Sequence, residues 1–309
     1  MRALKRRVLI FLLIFLAMIG ALFTTVIHSH MKRKGSLVIG AKDTTEGHLL
    51  SEIIAQLIED KTSINIVRKF HLDGTFIAFN ALKSKDVDLY VEYTGTALTA
   101  ILKKDHSELP PKKVLPYLRK EFESRFDLIW MEPLGFECAY VLITHPKFAE
   151  ERGVETLSDL KKLLDHDEGI KVAFDPEFYA RPESDILKSR YEMKFLDFKL
   201  LDHMFLYLAL NNRTIDVING YATDGFILGH NLKVLEDNEE KFPSYEAVPI
   251  IRSETLKRYP ELRAIFEEIS LKITAPKMRE MNYKVEKKGE SVHNAAQYFL
   301  KREGLLSHF

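Results

Sequence analysis

What the sequence lacks narrows it first. It has one cysteine in 309 residues, Cys138. No internal disulfide can form, so the redox compartment is not readable from cysteine. No cysteine lies near the N-terminus, which excludes an anchor of the bacterial lipoprotein type. Cys138 falls in an apolar strand pattern and is expected as a buried small hydrophobe. Net charge is also missing, because 45 Lys+Arg balance 45 Asp+Glu. There is no Walker-type or Gly-x-Gly-x-x-Gly loop, no Cys/His metal spacing and no low-complexity tract.

The neutral total hides an asymmetry. Residues 1–30 carry Arg2, Lys5, Arg6 and Arg7 and no acid, so the remainder is slightly acidic. That balance gives no nucleic-acid footprint. Hydrophobic content of 46% with 29% charged residues is the profile of a globular chain long enough for two lobes.

Val8 to Ile27 is an uncharged, mostly apolar run behind the basic start. It reads as a signal peptide or membrane anchor over residues 1–31. No small-x-small cleavage site follows it, which favours an uncleaved anchor. The basic residues before it favour export of the bulk. His28 and His30 in the linker read as incidental rather than as metal ligands.

From Ser36 the pattern is alternating β and α. Leu37–Gly40 reads as a strand, and Asp43 as a helix cap with Glu46 as its reciprocal partner. Leu49, Leu50, Ile53, Ile54, Leu57 and Ile58 form a helical apolar stripe. Ile64–Val67 is a second strand, Asp73-Gly74-Thr75 starts a second helix, and Val87, Leu89 and Val91 mark a third strand. This order predicts a parallel sheet. Leu128–Trp130, Cys138–Ile143, Ile170–Phe174, the strand before Tyr221, and Ala247–Ile251 are further strands. The chain is expected to cross to a second lobe near Pro133–Gly135 and to return after Leu232–Leu235. The boundaries are 36–137 plus 236–309 for one lobe and 138–235 for the other. Residues 253–302 read as consecutive helices.

Two stretches share one shape. Asp86–Tyr93 runs as a strand into Thr94-Gly95-Thr96, and Ile215–Tyr221 runs as a strand into Ala222-Thr223-Asp224-Gly225. Each puts a tyrosine where a strand ends and a helix begins, the place where open α/β sheets bind ligands. One such tyrosine usually just packs its ring and wets its hydroxyl. The pair suggests two strand ends facing each other across a cleft. Glu92 and Asp224 at these corners read as caps, or as acid and base if the chain were an enzyme.

Ile39-Gly40-Ala41-Lys42 with Thr45-Glu46, Gly74-Thr75 with Ala78–Leu82, and Asp88–Leu98 together resemble the OpuAC-like substrate-binding proteins of quaternary-amine ABC importers. Tyr221–Gly225, Val234–Asp237, Phe242-Pro243 and Met281-Asn282-Tyr283 extend the resemblance over about residues 36–305. It implies a two-lobed periplasmic-binding-protein fold of type 2 that closes on its ligand. It implies a receptor for glycine betaine, carnitine or choline that delivers its ligand to an inner-membrane permease, with no catalysis, cofactor or metal. The family's tyrosine box falls on Tyr93, Tyr140, Tyr221 and Tyr245, and its contacts to a ligand carboxylate on Lys42, Thr96 and Arg181. A quaternary ammonium has no hydrogen to donate, so ring faces must select it, at roughly 0.5–2 kcal/mol per desolvated ring. Lys42 and Arg181, taken as residue types alone, read as surface ion pairs. The sequence departs from the family at Asp43-Thr44-Thr45 and at Pro182-Glu183-Ser184, which bears on the ligand more than on the fold. The alternatives are a receptor of the same fold for another amine or amino acid, and a membrane-tethered sensor.

Overall fold

The computed structural model describes residues 35–306, except 168 and 197. The apolar run 8–27, His28 and His30 lie outside the described residues. Among the described residues no helix is long and apolar enough to cross a membrane.

Among the described residues ten strands make two five-stranded sheets. The first contains β1 (Ser36–Lys42), β2 (Asn65–Leu72), β3 (Leu89–Tyr93), β4 (Leu128–Trp130) and β10 (Ala247–Arg252), in the order β2-β1-β3-β10-β4. The second contains β5 (Tyr140–Thr144), β6 (Val172–Phe174), β7 (Phe198–Leu200), β8 (Val217–Tyr221) and β9 (Lys233–Val234), in the order β7-β6-β8-β5-β9. β1, β2 and β3 are parallel, as their alternation with helices requires. The sheet is not parallel throughout, because β10 runs antiparallel between β3 and β4. The second sheet repeats this plan, with β5 antiparallel to β8.

The apolar stripe lies on the Thr45–Lys61 helix, where Leu49, Leu50, Ile53 and Leu57 are fully buried. Each such side chain stabilises the fold by about 1.5–3 kcal/mol. Val292–Arg302 packs on the same helix and contributes Ala295, Ala296, Phe299 and Leu300 to this core. The helix begins one residue later than the capping pattern suggested. Thr44 is its N-cap, accepting from the Gly47 amide at 3.0 Å. Asp43 is thereby left to face His71, and Glu46 turns inward.

The chain crosses between the sheets after β4 and again before β10. The two crossings pair with each other: Ala247 N donates to Phe136 O at 3.1 Å and Cys138 N to Tyr245 O at 3.1 Å. Cys138 therefore sits on this double crossing, half-buried and outside β5, rather than in a buried strand position. A cavity of about 330 Å³ flanks the crossings, lined in part by Glu137, Tyr140, Phe242, Ser244 and Glu246.

Candidate functional site

β3 and β8 each end in a tyrosine, and the following turns carry the polar groups of the site. Tyr140 and Tyr221 are direct cross-strand partners on β5 and β8. Their ring centroids lie 4.6 Å apart and their hydroxyls are hydrogen-bonded at 2.8 Å. Phe178 backs Tyr140 at 5.1 Å between centroids. The Arg181 guanidinium stands 5.4 Å from the centre of the Tyr140 ring and is held by Glu177, Nε to Oε1 at 3.2 Å. Tyr245 reaches in from the second crossing and donates to Glu183 Oε1 at 2.8 Å. Its ring packs against Gly95. A Cβ at Gly95 would meet Tyr245 Cε1 at 2.6 Å, so this close approach requires glycine.

Tyr93 is anchored differently. Its hydroxyl donates to Glu46, a carboxyl buried between the sheets. Glu46 Oε2 also accepts from Asn282 Nδ2 at 3.3 Å, and Asn282 bridges on to Thr223 O at 2.9 Å. Cys138 Sγ lies 3.5 Å from Thr223 Oγ1 at this same seam. Lys42 stands 5.3 Å from the Tyr93 ring centre, ion-paired with Glu92, which is fully buried. Lys42 also donates to Thr75 Oγ1 at 3.3 Å, which leaves one of its three N–H groups uncommitted. Thr96 is half-buried at the end of the turn after Tyr93 and does not cap the helix that follows.

Burial sets the protonation states. Glu46 is pushed above the usual carboxyl range by desolvation, against the pull of its Tyr93, Thr223 and Asn282 hydrogen bonds. Burial, then the nearby Glu46 charge, pushes Tyr93 far up. Burial pushes Tyr221 up to about 12 and raises Tyr140 and Tyr245 as well. All four phenols are neutral across the physiological range and present undiminished π-faces. His203 is raised by its bond to Asp224. Asp224 does not cap the helix after it. It accepts the Tyr221 amide at 2.8 Å and the Tyr207 hydroxyl at 2.5 Å, fixing the Tyr221 corner.

Tyr140, Tyr221 and Arg181 thus meet, and Tyr245 lies within reach of the Arg181 charge. Tyr93 joins them through the Glu46–Asn282–Thr223 bridge, with Lys42 at its side. The cavity beside the crossings reaches Tyr140 but not the other three tyrosines. Glu46, Glu183 and Asn282 were not singled out as site residues by the sequence. Glu46 carried the signature of a capping partner, Asn282 stood only within a stretch that resembles the family, and Glu183 only within one that departs from it.

The chain is 32% identical over 273 residues to a carnitine transport binding protein of Listeria monocytogenes, covering 87% of each. It is 33% identical over 303 residues to an ergothioneine transport permease/ergothioneine binding protein of Helicobacter pylori, covering 97% of this chain and 54% of that longer protein. The crystal structure of a glycine betaine/carnitine/choline ABC transporter protein superposes with a TM-score of 0.81 at 30% identity, covering 87% of this chain and 99% of that one. Residues 35–302 match the model of the substrate-binding domain of ABC-type glycine betaine transport systems, and the chain belongs to that family.

Proposed function

We propose that this chain is the extracytoplasmic solute receptor of an ABC importer and that it binds a quaternary amine of the glycine betaine, carnitine and choline class. One observation carries the reading. Tyr140 and Tyr221 are paired beside Arg181, which already occupies a cation position over the Tyr140 ring, and Tyr245 lies within reach of the Arg181 charge. In this reading 36–137 plus 236–309 and 138–235 are the lobes of a type 2 binding-protein fold. They close so that Tyr93 meets the other three rings around the trimethylammonium group. Arg181, Lys42 and Thr96 take the ligand carboxylate through the donors they have left. Four rings and this clamp offset the cost of association and leave micromolar affinity, about −8 kcal/mol. No chemistry on the ligand is needed. Glu92 and Asp224 serve Lys42 and the Tyr221 corner rather than acid–base catalysis. Residues 1–31 act as signal or tether to the inner membrane, where the permease takes the loaded receptor.

The test is calorimetric titration of the purified chain with glycine betaine, carnitine, choline and proline. Binding of the trimethylammonium compounds with proline silent is expected. Silence toward all four from folded protein would sink the reading.

A second reading rests on buried acceptors. Asn282 Oδ1, Glu183 Oε2 and Ser184 Oγ are buried with no hydrogen-bond partner in the protein. Buried acceptors without partners are costly, and a ligand with N–H groups would relieve them. Glycine betaine has none. A trimethylammonium betaine that also carries an N–H-bearing ring, such as ergothioneine, supplies them. Tighter binding of ergothioneine than of glycine betaine would establish this reading, and equal or weaker binding would remove it.

A further inference from the structure

Outside the tyrosine site, three metal-ligating side chains meet where β1 and β2 end. The register of β1 on β2 slips between Gly40 and Lys42, and Asp43 N donates to Leu72 O at 3.2 Å. Those two features set Asp43 beside His71. Asp43 Oδ1 lies 2.7 Å from His71 Nδ1 and 3.3 Å from His48 Nε2. The donor atoms of all three residues lie within 4.8 Å of one another.

We propose that Asp43, His48 and His71 form a binding site for one divalent cation of the zinc class. Two imidazoles and one carboxylate are the donor set of borderline metals such as zinc, cobalt and nickel, and not of magnesium or calcium. Around a tetrahedral ion with bonds of about 2.0–2.1 Å, neighbouring donors sit roughly 3.3 Å apart. The Asp43–His48 spacing already meets this. The Asp43–His71 pair must open by about half an ångström to meet it. His71 has that freedom, because its side chain is 74% exposed.

His48 supplies a second reason. Its Nε2 faces Asp43 but makes no hydrogen bond there or elsewhere, although it is buried. The ring is wedged against Phe70, with centroids 5.5 Å apart, and edge-on to His71 at 4.6 Å. A cation between the three donors would satisfy that nitrogen and leave a fourth position for water. The site is independent of the quaternary-amine reading, since it shares no residue with the tyrosine cluster.

The full chain, stripped with chelator, is titrated with cobalt(II) and then with zinc(II). The expected result is one equivalent of cobalt with the intense visible bands of four-coordination, displaced by zinc and indifferent to magnesium. His71→Ala and Asp43→Ala should each weaken binding by at least about 100-fold, since even supporting residues around a metal cost 10–100-fold. His71 is exposed, so its alanine variant should keep the wild-type unfolding curve. The double variant His28→Ala/His30→Ala should bind cobalt as wild type does. Absence of the cobalt bands, their persistence in His71→Ala, or their loss in the His28/His30 variant would each overturn the proposal.

Discussion

The corners at Tyr93 and Tyr221 have the same local sequence shape and end equivalent strands, yet they are tied down by opposite means. Tyr221 pairs with another neutral phenol, Tyr140, directly across the strand. Tyr93 gives its hydroxyl to a buried carboxyl, Glu46, which in turn reaches across the seam to Asn282 and Thr223. The first corner is a closed aromatic pair built for ring contact. The second is a polar joint between the sheets that also carries a ring. Identical strand–Tyr–turn patterns therefore do not imply identical duties, and the partner from elsewhere in the chain decides.

Alanine substitutions should give the largest effect. Tyr221→Ala and Tyr93→Ala each remove a ring worth up to about 2 kcal/mol, roughly 30-fold in affinity, as calorimetry would read it. Unchanged affinity in both would break the comparison by removing the ligand from it. Removing only the hydroxyl should then separate the corners. Tyr93→Phe leaves Glu46 buried with a lost donor and should cost about 1–3 kcal/mol in urea unfolding. Tyr221→Phe breaks a neutral pair and should cost about 1 kcal/mol. A reversed order would show that Tyr93 is not the joint. Next in size, Arg181→Ala should weaken glycine betaine about 10-fold more than choline, because a charged hydrogen-bond partner is worth about 1.5 kcal/mol or more and choline has no carboxylate. Equal losses would confine Arg181 to its Glu177 and Tyr140 contacts.

The smallest effect is one of slope. Burial holds the folded-state pKa of Glu46 above its unfolded value of 4.5. The native protein therefore keeps a proton that the unfolded chain releases, and stability falls as pH rises from about 4.5 through the folded pKa. Glu46→Gln should flatten that fall and match wild type below pH 4.5. The same slope in both proteins would place the titration elsewhere, with Glu137, Glu246 and Glu286 as the other carboxyls raised by burial.

Strands and corners were legible because they are written in neighbouring residues. Val87, Leu89 and Val91 alternate, and Tyr93 interrupts them, whatever the rest of the chain does. The long-range pairs were not legible. Glu46 lies three residues beyond Asp43 and looks like a capping partner. Its true partner, Tyr93, is 47 residues away on another element. Cys138 looked like a strand residue because its apolar neighbours continue unbroken into β5. The antiparallel β10 sends Tyr245 onto Gly95 and makes that stretch a crossing instead. Asp43, His48 and His71 have no metal-site spacing in sequence, since the register slip between β1 and β2 is what gathers them.

The central claim is that neutral tyrosine faces recognise a quaternary ammonium. Calorimetric titration of wild type and Tyr221→Ala with tetramethylammonium tests it most directly, because that ion has no group for Arg181, Lys42 or any acceptor. Measurable binding to wild type, weakened about 30-fold in the variant, is expected. Equal binding by the two proteins, or glycine betaine binding undisturbed by the substitution, would contradict it.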